Sequence, residues 1–362
     1  LLFQVSAWGM DRMMEMIQFW GRFQWAELWV MRPNFLEIAL YYALIISLFW
    51  SRRWPRARIG LAAVLLLSVA DASYWVYKTR YDHHLRVTYL DVGKGNAALV
   101  QFPGKERMLI DGGGFPGGDF DVGRMVIAPF LFDSKILRVD YLVLTHPQTD
   151  HLEGLRFIAQ HFRPKEFWHN GEDPEIPSFK ELKGIMEAQK IRVLSPSDLR
   201  EGREISGVRI TVLHPGPEDG EGRPSGSGIK SNDKSMVLKL SYEGTSCLFP
   251  GDLEIAGEEM VVSRAGPLLK SDILLVPHHG SKTSCSRPFL DVVRPRVGVI
   301  SSGDNSPRFP SPETLDRLEA MGCKTIRVDK VGAVRVSIGP EGFQVRGIGK
   351  KAKTRLLFSS TR

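Results

Sequence analysis

The stretch Thr145-His146-Pro147-Gln148-Thr149-Asp150-His151 gathers two imidazoles and a carboxylate in one short segment. It begins at the end of an apolar run and opens a helical one. Such a turn points positions 146, 150 and 151 toward one pocket. Imidazole and carboxylate are donors suited to a divalent ion. Read alone, the segment also fits a helix capped by Asp150 with two incidental histidines. Two further runs end in the same kind of residue: Phe249-Pro250-Gly251-Asp252 and Val276-Pro277-His278-His279-Gly280-Ser281. Four of the nine histidines lie in these turns, so the metal reading gains over the capping one. Three strand ends brought to one sheet edge make an α/β site.

The elements that must position these turns are short β-rich runs alternating with helical stretches. Strands are expected at 85–91, 97–102, 107–111, 141–145, 208–214, 236–242, 246–252, 272–277 and 297–303. Helices are expected after Asp150, Pro177, Asp252, Ser284 and Ser311, with Asp150 and Ser311 as N-caps. Interleaving of this kind gives a layered α/β domain. The Gly/Ser/charged stretch 216–234 reads as a mobile loop. Residues 347–362 read as a basic tail that frays from 349 onward. His161, His169, His214, Cys247, Cys285 and Trp168 read as structural.

The ordered set HxxxDH, GD and HHGS resembles the metallo-β-lactamase fold, an αββα sandwich with its metal site at the sheet edges. Leu90-Asp91-Val92-Gly93-Lys94-Gly95-Asn96-Ala97 and Leu109-Ile110-Asp111-Gly112-Gly113 resemble one branch of it, the C-terminal domain of the ComEC-type DNA-uptake channel proteins. Asn232-Asp233-x-Ser235 and Ile300-Ser301-Ser302-Gly303-x-Asn305 extend the match, which runs from about residue 85 to 346. The resemblance implies one or two divalent ions (Mn or Zn) held by His146, Asp150, His151, Asp252 and His279. It implies that Asp150 orients a water or takes its proton. His278 is expected to face the scissile phosphate as a donor. Lys94, Ser281 and Asn232 are the expected substrate contacts. The implied activity is metal-dependent phosphodiester hydrolysis of the DNA strand that is not transported, with DNA, the membrane and other parts of an uptake channel as partners and no nucleotide cofactor. Four positions depart from the branch: Lys94 and Asn96 replace Gln and Asp, Gln148 replaces an acid or His, and Phe309 replaces a His. Gln148 is a poor ligand and Phe309 none, so one tightly held ion at most is expected. Two rival readings follow: a metal-poor domain that binds and guides DNA, and a metallo-hydrolase of small esters or amides.

Residues 1–84 have a different texture. FLEIALYYALIISLFW (35–50) and IGLAAVLLLSVADASYWVY (59–77) are each near the ~20 residues that cross a bilayer and carry one acid apiece, Glu37 and Asp71. Trp50, Trp54, Tyr74, Trp75 and Tyr77 sit at their ends, as in an interfacial belt. Arg52, Arg53, Arg56 and Arg58 in the connecting loop place it on the cytoplasmic side. Two membrane helices are therefore expected, with everything after residue 84 outside the cytoplasm. The first 32 residues hold four Trp and five Met and read as an interfacial amphipathic helix. A first residue of Leu predicts a piece of a longer protein.

Composition agrees with both halves. Hydrophobic residues make up 43% and charged ones 25%, which excludes a disordered or collagenous chain. Three cysteines exclude a disulfide scaffold. The net charge of +7 is thinly spread: nine Lys/Arg against six Asp/Glu in 1–84, and 39 against 35 beyond. No concentrated nucleic-acid stripe results.

Overall fold

Neighbouring residues along the strands bury into different layers. Met108 and Ile110 join one apolar cluster while Leu109 joins another, and Val143 and Leu142 divide in the same way. This period-two division is what a sheet covered on both faces demands. The computed structural model of the chain describes residues 2–23, 29–115, 117, 120–216, 230–303, 308–349 and 355–359. The expected loop 216–234 therefore falls largely outside the described residues, as does Asn305.

Three helices come first: α1 (Leu2–Trp20), α2 (Phe35–Ser51) and α3 (Pro55–Arg80). Next are β1 (Leu85–Tyr89), β2 (Ala98–Gln101), β3 (Arg107–Ile110), α4 (Ala128–Asp133), β4 (Tyr141–Leu144) and α5 (Thr149–His161). Then follow β5 (Glu166–His169), α6 (Pro177–Ala188), β6 (Arg192–Leu194), β7 (Arg203–Ile205), β8 (Val208–His214) and β9 (Val237–Tyr242). The chain continues through β10 (Thr245–Phe249), α7 (Ile255–Ala265), β11 (Ile273–Leu275), α8 (Arg287–Val293), β12 (Val297–Ile300) and α9 (Pro312–Ala320). It closes with β13 (Lys324–Arg327), α10 (Val328–Val331), β14 (Ala333–Gly339), β15 (Gly342–Ile348) and β16 (Arg355–Ser359).

One sheet runs β16-β15-β14-β1-β2-β3-β4-β5-β6 and the other β13-β12-β11-β10-β9-β8-β7. Their facing sides share a core that includes Val87, Val100, Trp168, Leu238, Phe249 and Val336. On the outer side of the first sheet, Leu109 and Leu142 meet Leu131, Leu155 and Phe179 of α4, α5 and α6. On the outer side of the second, Leu274 meets Val261, Phe289 and Leu318 of α7, α8 and α9. The architecture is the expected αββα sandwich.

β3 and β4 pair in parallel, as do β10, β11 and β12. Their C-terminal ends therefore lie at one edge of the sandwich, here called the upper edge. Met236 N donates to Thr145 O there, joining the two sheets. At the opposite edge α3 hands the chain to β1, and the Tyr242 hydroxyl donates to His83 O.

Several local expectations change. Gln148, not Asp150, occupies the N-cap of α5, and Asp150 falls in the first turn, where a carboxylate meets the positive end of the helix dipole. Ser311 does cap α9, accepting from Thr314 N. The strands β5, β6, β7, β13, β14 and β15 were not among those expected; β5, β6, β7 and β13 are three or four residues long, whereas β14 alternates plainly, with Val334, Val336 and Ile338 buried and Arg335 and Ser337 between them. Where a frayed tail is expected, residues 355–359 pair with β15 as an edge strand.

Helix α3 is 26 residues long with a mean hydropathy of 1.8 over its apolar window. Its length of about 39 Å exceeds the ~30 Å hydrocarbon core. Of the described helices it alone is long and apolar enough to cross a membrane. Its antiparallel neighbour α2 is apolar but has 17 residues. Both expose large apolar side chains, including Phe35, Ile46, Leu66 and Val69. Trp29, expected in the interface, instead stacks on Phe132 of α4 at 5.6 Å. Lys135 ties the same region down, donating to both Glu37 carboxylate oxygens and to Arg32 O.

Candidate metal centre

The turn after β4 is held by Asp111, the residue that ends β3. Its φ of +59° turns the carboxylate back under the neighbouring strand. Asp111 accepts from Thr145 N at 2.8 Å and from His151 Nδ1 at 2.8 Å. The loop between β1 and β2 is just as tight. A Cβ on Gly95, which sits at φ +95°, would lie 1.8 Å from Asp150 O, so only glycine allows α5 to enter here.

His146, His151, Asp252 and His279 are buried, and Asp150 lies at the rim. His151 Nε2 is 3.2 Å from Asp252 Oδ1, and His279 Nε2 is 3.4 Å from Asp252 Oδ2 and 3.8 Å from Asp150 Oδ2. The three turns thus converge, and all five residues expected as ligands are neighbours. His279 Nδ1 is 2.9 Å from Ser301 O. A carbonyl only accepts, so Nδ1 carries the proton and Nε2 of the neutral ring offers a lone pair inward. The Asp111 contact sets His151 the same way.

His146 differs from the other two histidines. Burial, with His151 beside it, presses its pKa down to about 4. Burial also opposes a cationic His151, but Asp252 and Asp111 outweigh it and push that pKa well above the ordinary imidazole range. For His279 burial is outweighed by Asp252. Burial opposes charge on Asp252 too, yet His151 and His279 hold its carboxyl well below the usual range. The pocket is built for anionic carboxylates facing cations.

The Nε2 atoms of His146, His151 and His279 are all buried; that of His146 has no hydrogen-bond partner, and those of His151 and His279 face the carboxylates of Asp252 and Asp150. A buried unpartnered nitrogen costs about 1–3 kcal/mol unless something takes its lone pair. A divalent ion does so. Two groups place their ligand atoms within 4.8 Å of one another: His146, His151 and Asp252, and Asp150, His151 and His279. The residues present fit the ion, and His151 is common to both groups.

The remaining expected residues surround this centre unequally. Lys94 Nζ lies 3.7 Å from Asp150 Oδ2 on a half-exposed side chain. His278 has φ +47° and its Nδ1 lies 3.7 Å from Glu254 Oε1. Asn232 accepts from Gln148 Nε2 and also reaches Glu254. Ser281 is buried, and its hydroxyl bonds Thr283 within its own turn. Phe309 packs its ring 5.6 Å from His278 and 6.0 Å from His279, so the aromatic ring fills space beside the ligands. Asn96 Nδ2 donates to Asp252 Oδ1 at 3.4 Å. The reading of the sequence gave no role to Asp111 or Glu254. Asp111 had a signal, an acid closing an apolar strand before Gly112-Gly113. Glu254 had none.

Residues 90–304, more than half of the chain, match the family model described as the Metallo-beta-lactamase superfamily. The chain belongs to the metallo-beta-lactamase superfamily. Within this superfamily it is 29% identical over 269 residues to ComE operon protein 3 of Bacillus subtilis (strain 168), covering 69% of this chain and 32% of that protein. It is 29% identical over 313 residues to competence protein ComA of Neisseria gonorrhoeae, covering 86% and 40%. It is 27% identical over 267 residues to the protein YcaI of Escherichia coli (strain K12), covering 74% and 32%. The chain therefore spans well under half the length of these relatives. The ComEC-type resemblance drawn from the motifs is borne out by them. Among solved structures, the metallo hydrolase Igni18 from Ignicoccus hospitalis KIN4/I aligns at TM-score 0.43 and 14% identity, over 70% of this chain and 98% of that one. The CmlA beta-hydroxylase E377D mutant aligns at TM-score 0.43 and 16% identity, over 69% and 53%.

Proposed function

We propose that this chain is part of a DNA-uptake protein of natural competence, with its metallo-beta-lactamase domain a metal-dependent nuclease that degrades the strand left outside. The observation that carries the reading is the set of three buried, inward imidazole nitrogens framed by Asp150 and Asp252. Such a set takes a divalent ion of the Mn or Zn type at His146, His151, Asp252, His279 and Asp150. The ion supplies polarisation of a phosphoryl oxygen and acidification of a water. Asp150, at the rim, would take the proton of an attacking water. Lys94, within 3.7 Å of Asp150 and half exposed, meets a phosphate at the mouth. His278, whose Nδ1 lies 3.7 Å from Glu254 Oε1, would donate to the leaving oxygen. The competence relatives support DNA as the substrate and the remaining uptake machinery as partners. Helix α3 and the arginines at 52, 53, 56 and 58 support a cell-membrane anchor with the domain outside the cytoplasm.

Purified full chain is expected to contain a divalent metal and to cleave DNA when Mn²⁺ is supplied. His146→Ala is expected to lower both metal content and cleavage. Metal-independent cleavage, or equal metal content in the variant, contradicts the reading. A periplasmic-type reporter fused after residue 85 is expected to be active, and one active only in the cytoplasm contradicts the topology.

A second reading rests on Gln148 and Phe309. Gln148 is engaged with Asn232, and Phe309 packs on the ligand histidines. A domain with those donors replaced binds and guides DNA with little cleavage. Salt-sensitive DNA binding without turnover in Mn²⁺ selects this reading over the first.

A further inference from the structure

The edge of the sandwich opposite the metal centre carries a cationic cavity of about 590 Å³. It opens between the turn that joins β9 to β10 and the segment that leads from α7 into β11. Lys239, Lys270, Arg294 and Arg296 line it, against a single acid, Asp272. Arg296 lies 3.8 Å from Asp272 and covers the rings of Phe343 and Phe358, so its plane is held at the cavity wall. Lys239 donates to Leu268 O and Lys270 O, which uses two of its three N–H groups and fixes the ammonium. Lys270 and Arg294 are exposed at the mouth. Four cations around one carboxylate form an anion site.

Its position says which anion. The cavity lining includes Gly244 and Thr245, two and three residues after Tyr242, and Tyr242 bonds His83 at the point where α3 becomes β1. The cavity therefore sits at the edge from which α3 departs. Two loops at this same edge expose a leucine beside a cation: Leu268 near Lys270, and Leu137 next to Arg138. Apolar tips flanked by Lys or Arg are how a surface meets the headgroup region of a bilayer. DNA held at the metal centre lies at the far edge, a strand length away.

We propose that this cavity binds the phosphate headgroup of an anionic membrane lipid and so seats the domain on the bilayer with its metal centre turned away. The inference rests on the reading of α3 as a membrane helix and goes beyond the nuclease assignment. Hydrogen exchange of the full chain tests it, in nanodiscs of phosphatidylcholine alone and of phosphatidylcholine with phosphatidylglycerol in equal parts. Exchange at 244–246 and 267–272 is expected to slow about tenfold when the anionic lipid is present. The double variant Lys270→Glu with Arg294→Glu is expected to lose that slowing and keep its metal content. If 55–80 is protected in both discs but the cavity segments ignore the anionic lipid, the proposal is overturned while the membrane helix stands. If 55–80 exchanges freely, the membrane reading itself fails and the proposal falls with it. Equal protection by inorganic phosphate, or by duplex DNA, in lipid-free detergent also overturns it, since the ligand is then not a lipid.

Discussion

The metal centre and the α2–α3 hairpin break the usual distribution of polarity in opposite ways. At the centre, charged and polar side chains are buried: His146, His151, Asp252 and His279 lie where water does not reach. Along the hairpin, Phe35, Ile46, Leu66 and Phe49 face outward. Either arrangement is costly for a protein alone in water. In the function proposed above each is resolved by a particular surrounding, an ion for the first and lipid for the second. Inverted polarity in a sequence that otherwise patterns normally is therefore a guide to what the chain works with.

The sharpest way to break the comparison is His151→Ala, because His151 belongs to both ligand groups and also pairs Asp111 and Asp252. Metal affinity is expected to fall by more than the about 10–100-fold seen for an outer-shell partner, read by elemental analysis after dialysis. Membrane extraction should be unchanged. The mirror experiment is Leu66→Arg near the middle of α3. A central arginine costs about 3 kcal/mol on insertion, or about 100-fold, and is read by carbonate extraction. Metal content should stay as it was. If either variant moves the other region's readout, the two inversions are not independent.

Asp111→Asn sharpens the account of how the centre is held. The side chain stays the same size but no longer fixes the His151 ring by charge. Metal affinity is expected to drop about 10–100-fold, measured by competition with a chelating dye. An unchanged affinity would mean that Thr145 alone suffices to hold the turn.

The departures at Gln148 and Phe309 predict one firmly held ion per chain. Gln148→Asp with Phe309→His is expected to raise metal stoichiometry, with the pair exceeding the two singles by about 0.5–3 kcal/mol because both serve one centre. A parent chain that already purifies with two ions contradicts this.

The smallest expected effect concerns a buried carboxylate whose cations belong to the chain. Asp329 accepts from Arg327 and lies 3.2 Å from Lys330. Burial opposes its charge, but these two cations hold its pKa below the usual carboxyl value. A depressed folded value means that its contribution is present above the ordinary carboxyl range and is lost as pH falls through the lower folded value. Asp329→Ala is expected to cost about 1–3 kcal/mol at neutral pH, less at strongly acidic pH, by thermal unfolding. Chelators should not alter that cost, in contrast with the metal centre.

The sequence by itself determined the candidate ligand residues, the layered α/β class and the apolar N-terminal helices, because these depend on residue type and short-range order. His146, Asp150 and His151 sit in one turn, and the strands that lead to Asp252 and His279 are continuous apolar runs that only a covered sheet accommodates. It placed nine strands within three residues of their observed bounds. Much of what it left out has weak local signals. β5, β6 and β7 are three or four residues long, and β16 forms from a tail whose only support is its pairing with β15. Only the tertiary structure decided that Asp111 holds His151, that Gln148 is taken by Asn232, and that Ser281 spends its hydroxyl inside its own turn. Those contacts join residues 40, 84 and 2 positions apart, respectively. The first two exist because the parallel pairing of β3 with β4, and the closure of one sheet on the other, bring distant strand ends to one edge. The third depends on which way a hydroxyl turns once its neighbours are packed around it.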